Sequence, residues 1–307
     1  MAWTPAALCA GWAVVRLFGL ESGYPAVALM TYTLYVLMIA VVATVVALWL
    51  RQWPAAALAA LALVSLGAVI APRAIGGPDS MQGAPVRVIT ANVFRGGGDA
   101  DTLVQFARDR RADFLCVEEL TPEFAARLDA AGIGSLLSHR VLSVKEGVSG
   151  SGIYSRYPLR RLPLQGVSST RALGMVAPGL EVNLGAIHNL PLPGSPSGTD
   201  GWALSLRRMP VPTANGPVEI MAGDFNATLD QSDFRDLLDR GYYDAAERMG
   251  DGLTPTWPAI DPGWRYMPVT IDHILYDRDR VGVRDFQVLT LPGSDHRTLY
   301  AELVLSR

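Results

Sequence analysis

The chain has few cysteines and no basic excess, and each shortage excludes a class of protein. Two cysteines occur among 307 residues, Cys9 and Cys116, and both lie in apolar runs. They are too few for a disulfide framework, and no Cys/His cluster predicts a zinc site. After residue 85 the chain carries 23 basic and 27 acidic side chains, a net charge of −4. Because a strong nonspecific nucleic-acid binder usually has a basic excess, this composition argues against tight duplex binding.

Charge is also missing from most of the N-terminal quarter. No charged residue lies between Glu21 and Arg51, or between Arg51 and Arg73. A helix over 24–50 alone would extend about 40 Å, more than the roughly 30 Å hydrocarbon core of a bilayer. An earlier apolar segment, 3–20, is interrupted by Arg16, which we expect to snorkel towards the interface. The sequence therefore predicts a membrane anchor over residues 1–76, made of two or three transmembrane helices, with three favoured.

A cleaved signal peptide is the alternative for this region, but it would need a basic start and one short apolar core. Residues 1–15 contain no Lys or Arg, and three apolar segments follow one another. Residues 77–85, rich in Gly and Pro, are predicted to link the anchor to a second domain over 86–307. Arg51, in a short loop between two spans, slightly favours a cytoplasmic hairpin. We therefore expect a multi-pass protein of the cell membrane with its C-terminal domain on the extracytoplasmic side.

The C-terminal domain contains more predicted strands than helices. Short apolar runs predict strands over 86–93, 112–120, 152–155, 180–188, 217–225, 270–277 and 299–305. Capping residues and apolar periodicity predict helices over 99–111, 121–132 and 231–241. The segment 191–201, rich in Pro, Gly and Ser, predicts a mobile loop. This mixture indicates an α+β fold or a layered sandwich.

Polar residues able to bind a metal or a phosphate lie where the apolar runs end. They are Asn92, Glu119, His188, Asp224 with Asn226, and Asp295 with His296 in the turn GSDH. Alternation along a strand puts Glu119 and His188 each at the end of an apolar row, at the edge of a core. Any one of these residues alone would fit a turn or a solvated strand end. Their recurrence at successive strand ends indicates a shared site.

The segments ITANVF, CVEEL, SGIYSRYPL, AIHNLPL, MAGDFNAT, TIDHIL and GSDHRTL occur in this order. Together, over 86–305, they resemble the endonuclease/exonuclease/phosphatase superfamily, most specifically through GDFN followed by SDH. The resemblance implies the DNase I-like fold, a four-layer αββα sandwich of the α+β class. The apolar front end is similar to that of bacterial membrane-associated members of the superfamily.

The resemblance also implies a metal side to the site. Glu119 matches the acidic metal ligand, and it is chosen over Glu118 because it precedes Leu120 as the family's Glu precedes an apolar residue. Asn92 matches the asparagine near that metal, and Asp295 matches a second carboxylate on the metal side. The implied cofactor is Mg²⁺ or Mn²⁺, which suits carboxylate and amide oxygens.

A second group of residues matches the reaction centre of the family. His296 matches the histidine at that centre, and Asp272 matches the carboxylate that orients it. Asp224 and Asn226 match the pair near the phosphate and the attacking water. His188 matches another histidine, placed to hydrogen-bond phosphate oxygens. Whether His296 or Asp224 takes the proton from water stays open, because either group can act as a general base.

One histidine departs from the pattern. His273 stands where many relatives have Tyr or another residue, and strand alternation points it away from Asp272. We therefore leave His273 out of the predicted site.

The sequence thus predicts a membrane-anchored, divalent-metal-dependent phosphoesterase that hydrolyses a phosphodiester or phosphomonoester with an activated water. The substrate stays open among a lipid headgroup, a nucleotide and nucleic acid. Membrane lipid is the other expected partner, and no obligate protein partner is evident. The alternative is a catalytically inert, membrane-anchored binding module of the same fold, which we would expect to lack some of these residues. A transporter lacks support, because three spans are few and Arg16 is their only charge.

Overall fold

Two six-stranded sheets face each other in the region after residue 83. The computed structural model describes residues 2–163, 169–191, 196–259 and 266–306. The first sheet contains β1 (Ala84–Asn92), β2 (Phe114–Glu118), β3 (His139–Ser143), β4 (Ser151–Ser155), β11 (Val281–Thr290) and β12 (Arg297–Leu305). The second contains β5 (Leu159–Leu162), β6 (Thr170–Ala177), β7 (Leu180–His188), β8 (Val218–Asp224), β9 (Tyr242–Asp244) and β10 (Asp272–Asp277).

The strand order brings particular strand ends to one edge. The first sheet has the order β11-β12-β1-β2-β4-β3, and the second has the order β5-β6-β7-β8-β10-β9. The pairs β1/β2 and β7/β8 are parallel, whereas β10 runs antiparallel to β8 and β12 runs antiparallel to β1. The C-terminal ends of β1, β2, β7 and β8 therefore lie beside the starts of β10 and β12.

Helices cover the outer face of each sheet. They are α5 (Ala100–Asp109), α6 (Pro122–Ala130) and α7 (Ile133–Leu136) on the first sheet, and α8 (Pro196–Arg207) and α9 (Ser232–Asp239) on the second. A short helix, α10 (Ala245–Met249), follows β9 and packs against the core between the sheets. Alternation along each strand explains the layers: on β1, Val86 and Val88 face the other sheet, and Ile89 and Ala91 face the helices. The predicted four-layer αββα sandwich is confirmed.

The three predicted helices of this domain are present within one or two residues of their predicted ends. Asp99 caps α5 by accepting a hydrogen bond from the Thr102 N–H at 2.8 Å, and Thr121 caps α6 through the Phe124 N–H at 3.2 Å. Five strands were not predicted, β3, β5, β6, β9 and β11, and two of them have only three or four residues. Short strands carry too few alternating positions to be distinguished from loops.

The predicted loop over 191–201 is wrong in part. Residues 192–195 lie outside the described residues, but α8 already begins at Pro196. The helix is held by its second half, because Trp202 and Leu206 are fully buried in the outer core beside β8. Tertiary packing here outweighs a local composition typical of loops.

Three apolar helices at the N-terminus, α1 (Trp3–Phe18), α3 (Thr33–Trp49) and α4 (Trp53–Ile70), pack against one another. Small side chains make most of the contacts, among them Ala6, Ala43, Ala47, Ala55 and Ala59. Large apolar side chains point outward instead and are 60–70% exposed, namely Leu8, Val42, Val45, Leu61 and Val64. This arrangement is the reverse of that in a bundle surrounded by water, and it is typical of helices that pack within lipid.

Among the described residues, one helical stretch, Trp53–Ala74, is long and apolar enough by length and composition to cross a bilayer. It combines α4 with the 3₁₀ helix Ala71–Ala74. The helices α1 and α3, with 16 and 17 residues, are shorter. The number of spans stays a prediction.

The expectation for Arg16 is wrong, because this side chain does not snorkel to an interface. Arg16 is 6% exposed, and its Nε donates to Asp230 Oδ1 at 2.7 Å. Arg73 is buried beside it and donates to both oxygens of the same carboxylate, at 2.7 and 2.9 Å. The end of α1 and the 3₁₀ helix that follows α4 are therefore both bound to the sandwich by the buried carboxylate of Asp230.

The predicted linker is also bound to the sandwich. Asp79 accepts a hydrogen bond from the Val283 N–H at 3.0 Å and forms an ion pair with Arg248 at 2.7 Å. The strand β1 begins at Ala84, inside the predicted range 77–85. These contacts hold the N-terminal helices against the sandwich.

Candidate active site

The inward-facing rows of four strands meet in a polar cluster. The row on β1 ends at Asn92, that on β7 at His188 and that on β8 at Asp224, while the row on β10 begins with Asp272. These four residues are at most 7% exposed, and their apolar neighbours in the same rows belong to the core between the sheets. His188 therefore lies at the end of an inward-facing row, as strand alternation predicts. Rigid strands hold the cluster from below.

Glu119 reaches the same cluster by a different route from the one predicted. The strand β2 ends at Glu118, and the residues that share the parity of Glu119 face the outer helices. Alternation alone would thus point Glu119 away from the site. Its backbone instead adopts a φ of 58°, and its Oε2 accepts a hydrogen bond from the Arg95 N–H at 2.7 Å. Glu119 then lines the central cavity.

Glu118, the neighbour that the resemblance set aside, lies below the site. It is completely buried, and the Thr90 hydroxyl donates to its Oε1 at 3.0 Å. Burial raises the pKa of the Glu118 carboxyl well above its ordinary value, and the nearby charges of Asp272 and Asp224 raise it further. A group that resists ionisation in this way is a poor metal ligand.

Asp224 is the centre of a hydrogen-bond network. Its Oδ1 accepts from the Asn226 N–H at 2.8 Å, and its Oδ2 accepts from the side-chain amides of Asn92 at 3.1 Å and Asn226 at 3.3 Å. The Asn92 amide also donates to Glu119 Oε1 at 3.3 Å. The His188 Nε2 lies 3.8 Å from both Asp224 Oδ2 and Glu119 Oε1. Five of the predicted residues thus form one connected group.

His296 enters from the turn before β12. Its Nδ1 lies 2.9 Å from Asp272 Oδ2, and its Nε2 lies 3.7 Å from Asp224 Oδ2. The turn is fixed by Ser294, whose hydroxyl donates to the Asn92 carbonyl at 2.6 Å and accepts from the His296 N–H at 3.0 Å. The imidazole is therefore held by Asp272 on one side and presents Nε2 to the central cavity on the other.

The charges of this cluster perturb one another. Burial lowers the pKa of an imidazole, but the carboxylates of Asp272 and Asp224 outweigh burial and raise the pKa of His296 to about 10. Burial raises the pKa of Asp224, and the facing imidazole opposes that rise. A divalent cation near the same carboxylates would repel the imidazolium and lower the pKa of His296 again.

Asp295 lies at the border of the cluster. Its Oδ2 accepts a hydrogen bond from the Trp257 Nε1–H at 3.3 Å, while its Oδ1 is buried without a partner in the part of the chain that the structure describes. Asp295 also contributes to the raised pKa of His296. Of the eight predicted site residues, it is the one with no direct contact to the others among the described hydrogen bonds and ion pairs.

A cavity of about 490 Å³ opens above these groups. Its floor carries Glu119, His188, Asp224, Asn226 and His296.

The cavity walls include residues that sequence reasoning did not assign to the site. Trp257 and Tyr266 come from the segment before β10, and Leu29 comes from the N-terminal region. No sequence motif distinguishes these residues, because an apolar side chain near a turn has the same local pattern whether it lines a cavity or lies elsewhere on the surface.

A sequence model described as the Endonuclease/Exonuclease/phosphatase family matches residues 89–296, about two thirds of the chain. This chain belongs to that family. Members of the family are hydrolases that act on phosphoester bonds. The matched range begins after the N-terminal helices and includes all eight predicted site residues. A comparison with curated protein sequences gives no match.

Solved structures share the fold at low sequence identity. A Neisseria 3′ phosphatase bound to a product DNA hairpin is 20% identical, with a TM-score of 0.55, and covers 71% of this chain and 98% of its own. An AP endonuclease from Archaeoglobus fulgidus is 15% identical, with a TM-score of 0.54, and covers 70% and 98%. TDP2 from D. rerio, complexed with a single-stranded DNA product, is 16% identical, with a TM-score of 0.53, and covers 72% and 99%. More than a quarter of this chain has no counterpart in these structures.

Members of the family generally use a divalent metal, and the residues of this site fit one. Ligand atoms of Asp224, Asp272 and His296 lie within 4.8 Å of one another. The pair Asp272–His296 would have to separate for all three to bind one ion, whereas the resemblance assigns the metal to Glu119 and Asp295, and this assignment stays a prediction. A cation bound to Asp295 Oδ1 would supply the partner that this buried oxygen lacks among the described residues.

Asn92 is less suited to the metal role that the resemblance implies. Its amide nitrogen donates to Glu119 and Asp224, and its Oδ1 accepts from the Phe94 N–H at 3.0 Å. In this orientation Asn92 positions two carboxylates, and one lone pair of its Oδ1 is already used by the Phe94 N–H. Its role as a ligand stays a prediction.

The fold contains a second buried Asp–His pair, which provides a control. His273 Nδ1 lies 2.8 Å from Asp244 Oδ2 and its Nε2 lies 2.9 Å from the Ala227 carbonyl, on the opposite face of β10 from the cavity. His273 therefore points away from Asp272 and the cavity, as strand alternation predicts.

We expect Asp272→Asn to lower kcat by about 100-fold or more, because the imidazole loses the carboxylate that orients it. Asp244→Asn removes the same contact outside the cavity and should lower the unfolding temperature without changing kcat. Steady-state kinetics and thermal unfolding of both variants check this expectation. Equal losses of kcat in the two variants would contradict it.

Proposed function

We propose that this protein is a membrane-anchored, divalent-metal-dependent phosphoesterase. The observation that carries the proposal is the arrangement of His296 Nε2 opposite Asp224 Oδ2, at 3.7 Å, on the floor of the cavity. A water on the cavity side, within hydrogen-bond reach of both atoms, can lose its proton to either group as its oxygen forms a bond to phosphorus. The ester P–O bond breaks in the same step, and the leaving alkoxide takes up a proton from the protonated group or from solvent.

The other residues of the cluster bind and orient. Asn226 and Asn92 donate to Asp224 and hold its carboxylate in place. His188 lies over the same carboxylate and can donate a hydrogen bond to a phosphoryl oxygen. Its Nδ1 is buried with no partner among the described residues, so the ring is free to adopt the tautomer that the phosphate requires.

A divalent cation held by Glu119 and Asp295 would supply neutralisation of the negative charge on the phosphoryl oxygens. Chelation with EDTA is expected to abolish hydrolysis of bis-p-nitrophenyl phosphate, and Mg²⁺ or Mn²⁺ is expected to restore it. Glu119→Gln should raise the Mg²⁺ concentration for half-maximal rate by about tenfold or more.

The matched control for this experiment is Glu123→Gln, an exposed carboxylate at the start of α6. It should leave the Mg²⁺ dependence unchanged. Hydrolysis that is insensitive to EDTA would refute the metal dependence. The absence of hydrolysis of any phosphoester by the folded, metal-loaded protein would favour the inert binding module instead.

The membrane anchor is part of the same proposal. Its support is the packing of α1, α3 and α4, with alanines inside and large apolar side chains outside. The ends of α1 and α4 both reach Asp230, so Arg51 lies at the opposite end of the bundle, as three spans would require. A reporter fused to the C-terminus tests the extracytoplasmic orientation, and a reporter active only in the cytoplasm would overturn it.

A further inference from the structure

The segment between α1 and α3, residues 19–32, is built into the wall of the catalytic cavity. We call this segment the connector; it contains the short helix α2 (Ala26–Met30). Val27 is 4% exposed and belongs to the outer core beside β8. Gln231 donates to the Val27 carbonyl at 3.3 Å and to the Thr31 hydroxyl at 2.9 Å. Glu21 accepts a hydrogen bond from the Ser232 N–H. These contacts fix the connector to the loop that follows the catalytic strand β8.

The wall that the connector provides is apolar. Pro25, Ala28 and Leu29 line the cavity on one side, and Val269 and Ile271 line it near the sandwich. At the cavity border the exposed fraction rises to between 42% and 48% for Tyr24, Leu29, Val148 and Tyr266. The cavity therefore combines a charged floor with an apolar wall that is exposed where the helical bundle meets the sandwich.

No Lys or Arg is found among the described residues that line the cavity. A nucleic-acid strand carries a phosphate on every nucleotide, and proteins that bind one provide Lys or Arg along its path. A substrate with one phosphate ester and a large apolar group would need no such contacts. The net negative charge of the sandwich also disfavours a nucleic-acid strand as the substrate.

We propose that the connector forms an apolar subsite that selects an amphipathic phosphate ester, a lipid whose ester bond lies at the membrane surface. This inference rests on the proposed phosphoesterase function and names its substrate class. The apolar part of the lipid packs against Leu29, Ala28 and Ile271, and the phosphate reaches the floor at His296 and Asp224. The bundle places this subsite beside its own outward-facing apolar surface, which is where such a lipid would be located.

The test uses the full chain in detergent and a series of alkyl p-nitrophenyl phosphates, from methyl to decyl. In the wild-type protein kcat/KM should rise by about fourfold for each methylene that becomes fully buried, until the cavity is filled. Leu29→Ser should reduce the decyl-to-methyl ratio of kcat/KM by about tenfold. Ala28→Trp, which fills the same wall, should reduce that ratio as well and serves as a second variant.

The matched control is Leu61→Ser, the same change on the outward face of α4, where Leu61 is 64% exposed. It should keep the wild-type ratio, which separates the subsite from partitioning of the esters into detergent. Hydrolysis that does not depend on chain length, or an unchanged ratio in both connector variants, would overturn the subsite and leave the phosphoesterase intact. A higher kcat/KM for a single-stranded DNA oligonucleotide than for the decyl ester would overturn it too. No hydrolysis of any ester would instead refute the proposed function.

Discussion

Asp224→Asn is expected to lower kcat for phosphoester hydrolysis by about 10²- to 10⁴-fold. The substitution keeps the shape of the side chain and an oxygen that can accept from the Asn226 N–H, but its amide nitrogen can no longer accept from the side chains of Asn92 and Asn226. It removes the charge that faces His296 and one of the two groups able to accept the proton of the attacking water. Steady-state kinetics at saturating Mg²⁺ measure the effect, with thermal unfolding to verify that the variant is folded.

The same variant helps to decide which group accepts the proton. If Asp224 is the acceptor, the acidic limb of the pH profile of kcat should disappear in Asp224→Asn and persist in His296→Gln. If His296 is the acceptor, the reverse is expected. A value of kcat within threefold of wild type in Asp224→Asn would show that this carboxylate is not part of the reaction centre.

Asp230→Ala is expected to destabilise the attachment of the N-terminal helices by about 3–5 kcal/mol. The substitution leaves the guanidinium groups of Arg16 and Arg73 buried without their shared carboxylate, and an uncompensated buried charge is costly. The region between α4 and β1 should then be cleaved faster by a protease, and the unfolding temperature in detergent should fall. Asp129→Ala is the control, because its partner Arg140 is half exposed and such a pair contributes at most about 1 kcal/mol. Equal protease sensitivity of the two variants would show that Asp230 does not hold the bundle.

The attachment should also depend on pH in a defined direction. Burial raises the pKa of Asp230, but the charges of Arg73 and Arg16 outweigh burial, so the pKa in the folded protein is lowered. Since the folded pKa is below the unfolded one, the stabilisation is present above the ordinary carboxyl pKa of about 4 and is lost as the pH falls through the lowered value. Protease resistance of the same region should therefore persist at pH 5 and decrease under stronger acid.

Much of the fold could be read from alternation and capping. The runs that became β1, β2, β7, β8, β10 and β12 are long or strongly apolar, and Asp99 and Thr121 mark helix starts by their side-chain chemistry. Four of the missed strands, β3, β5, β9 and β11, lie at sheet edges, β6 lies inside its sheet, and α8 begins in a segment whose composition is typical of a loop. In these places long-range contacts outweigh the local pattern.

Strand alternation predicts the direction of one of the site's side chains and fails for another. Alternation correctly places His188 at the end of an inward row, because a strand keeps its period of two up to its last residue. It fails for Glu119, where a positive φ after the end of β2 turns the side chain into the cavity. A backbone conformation of that kind has no signature in the residue type.

The sequence by itself determined the layered α+β fold, the family and the identity of the polar residues at the strand ends, because each rests on local periodicity or on motifs in a fixed order. Only the tertiary structure decided that Asp230 binds both Arg16 and Arg73, and that the connector with Leu29 forms a wall of the catalytic cavity. Asp230 is separated from Arg16 and Arg73 by more than 150 residues in the chain. No local pattern specifies such a contact, since it arises when two distant segments are packed against the same sheet.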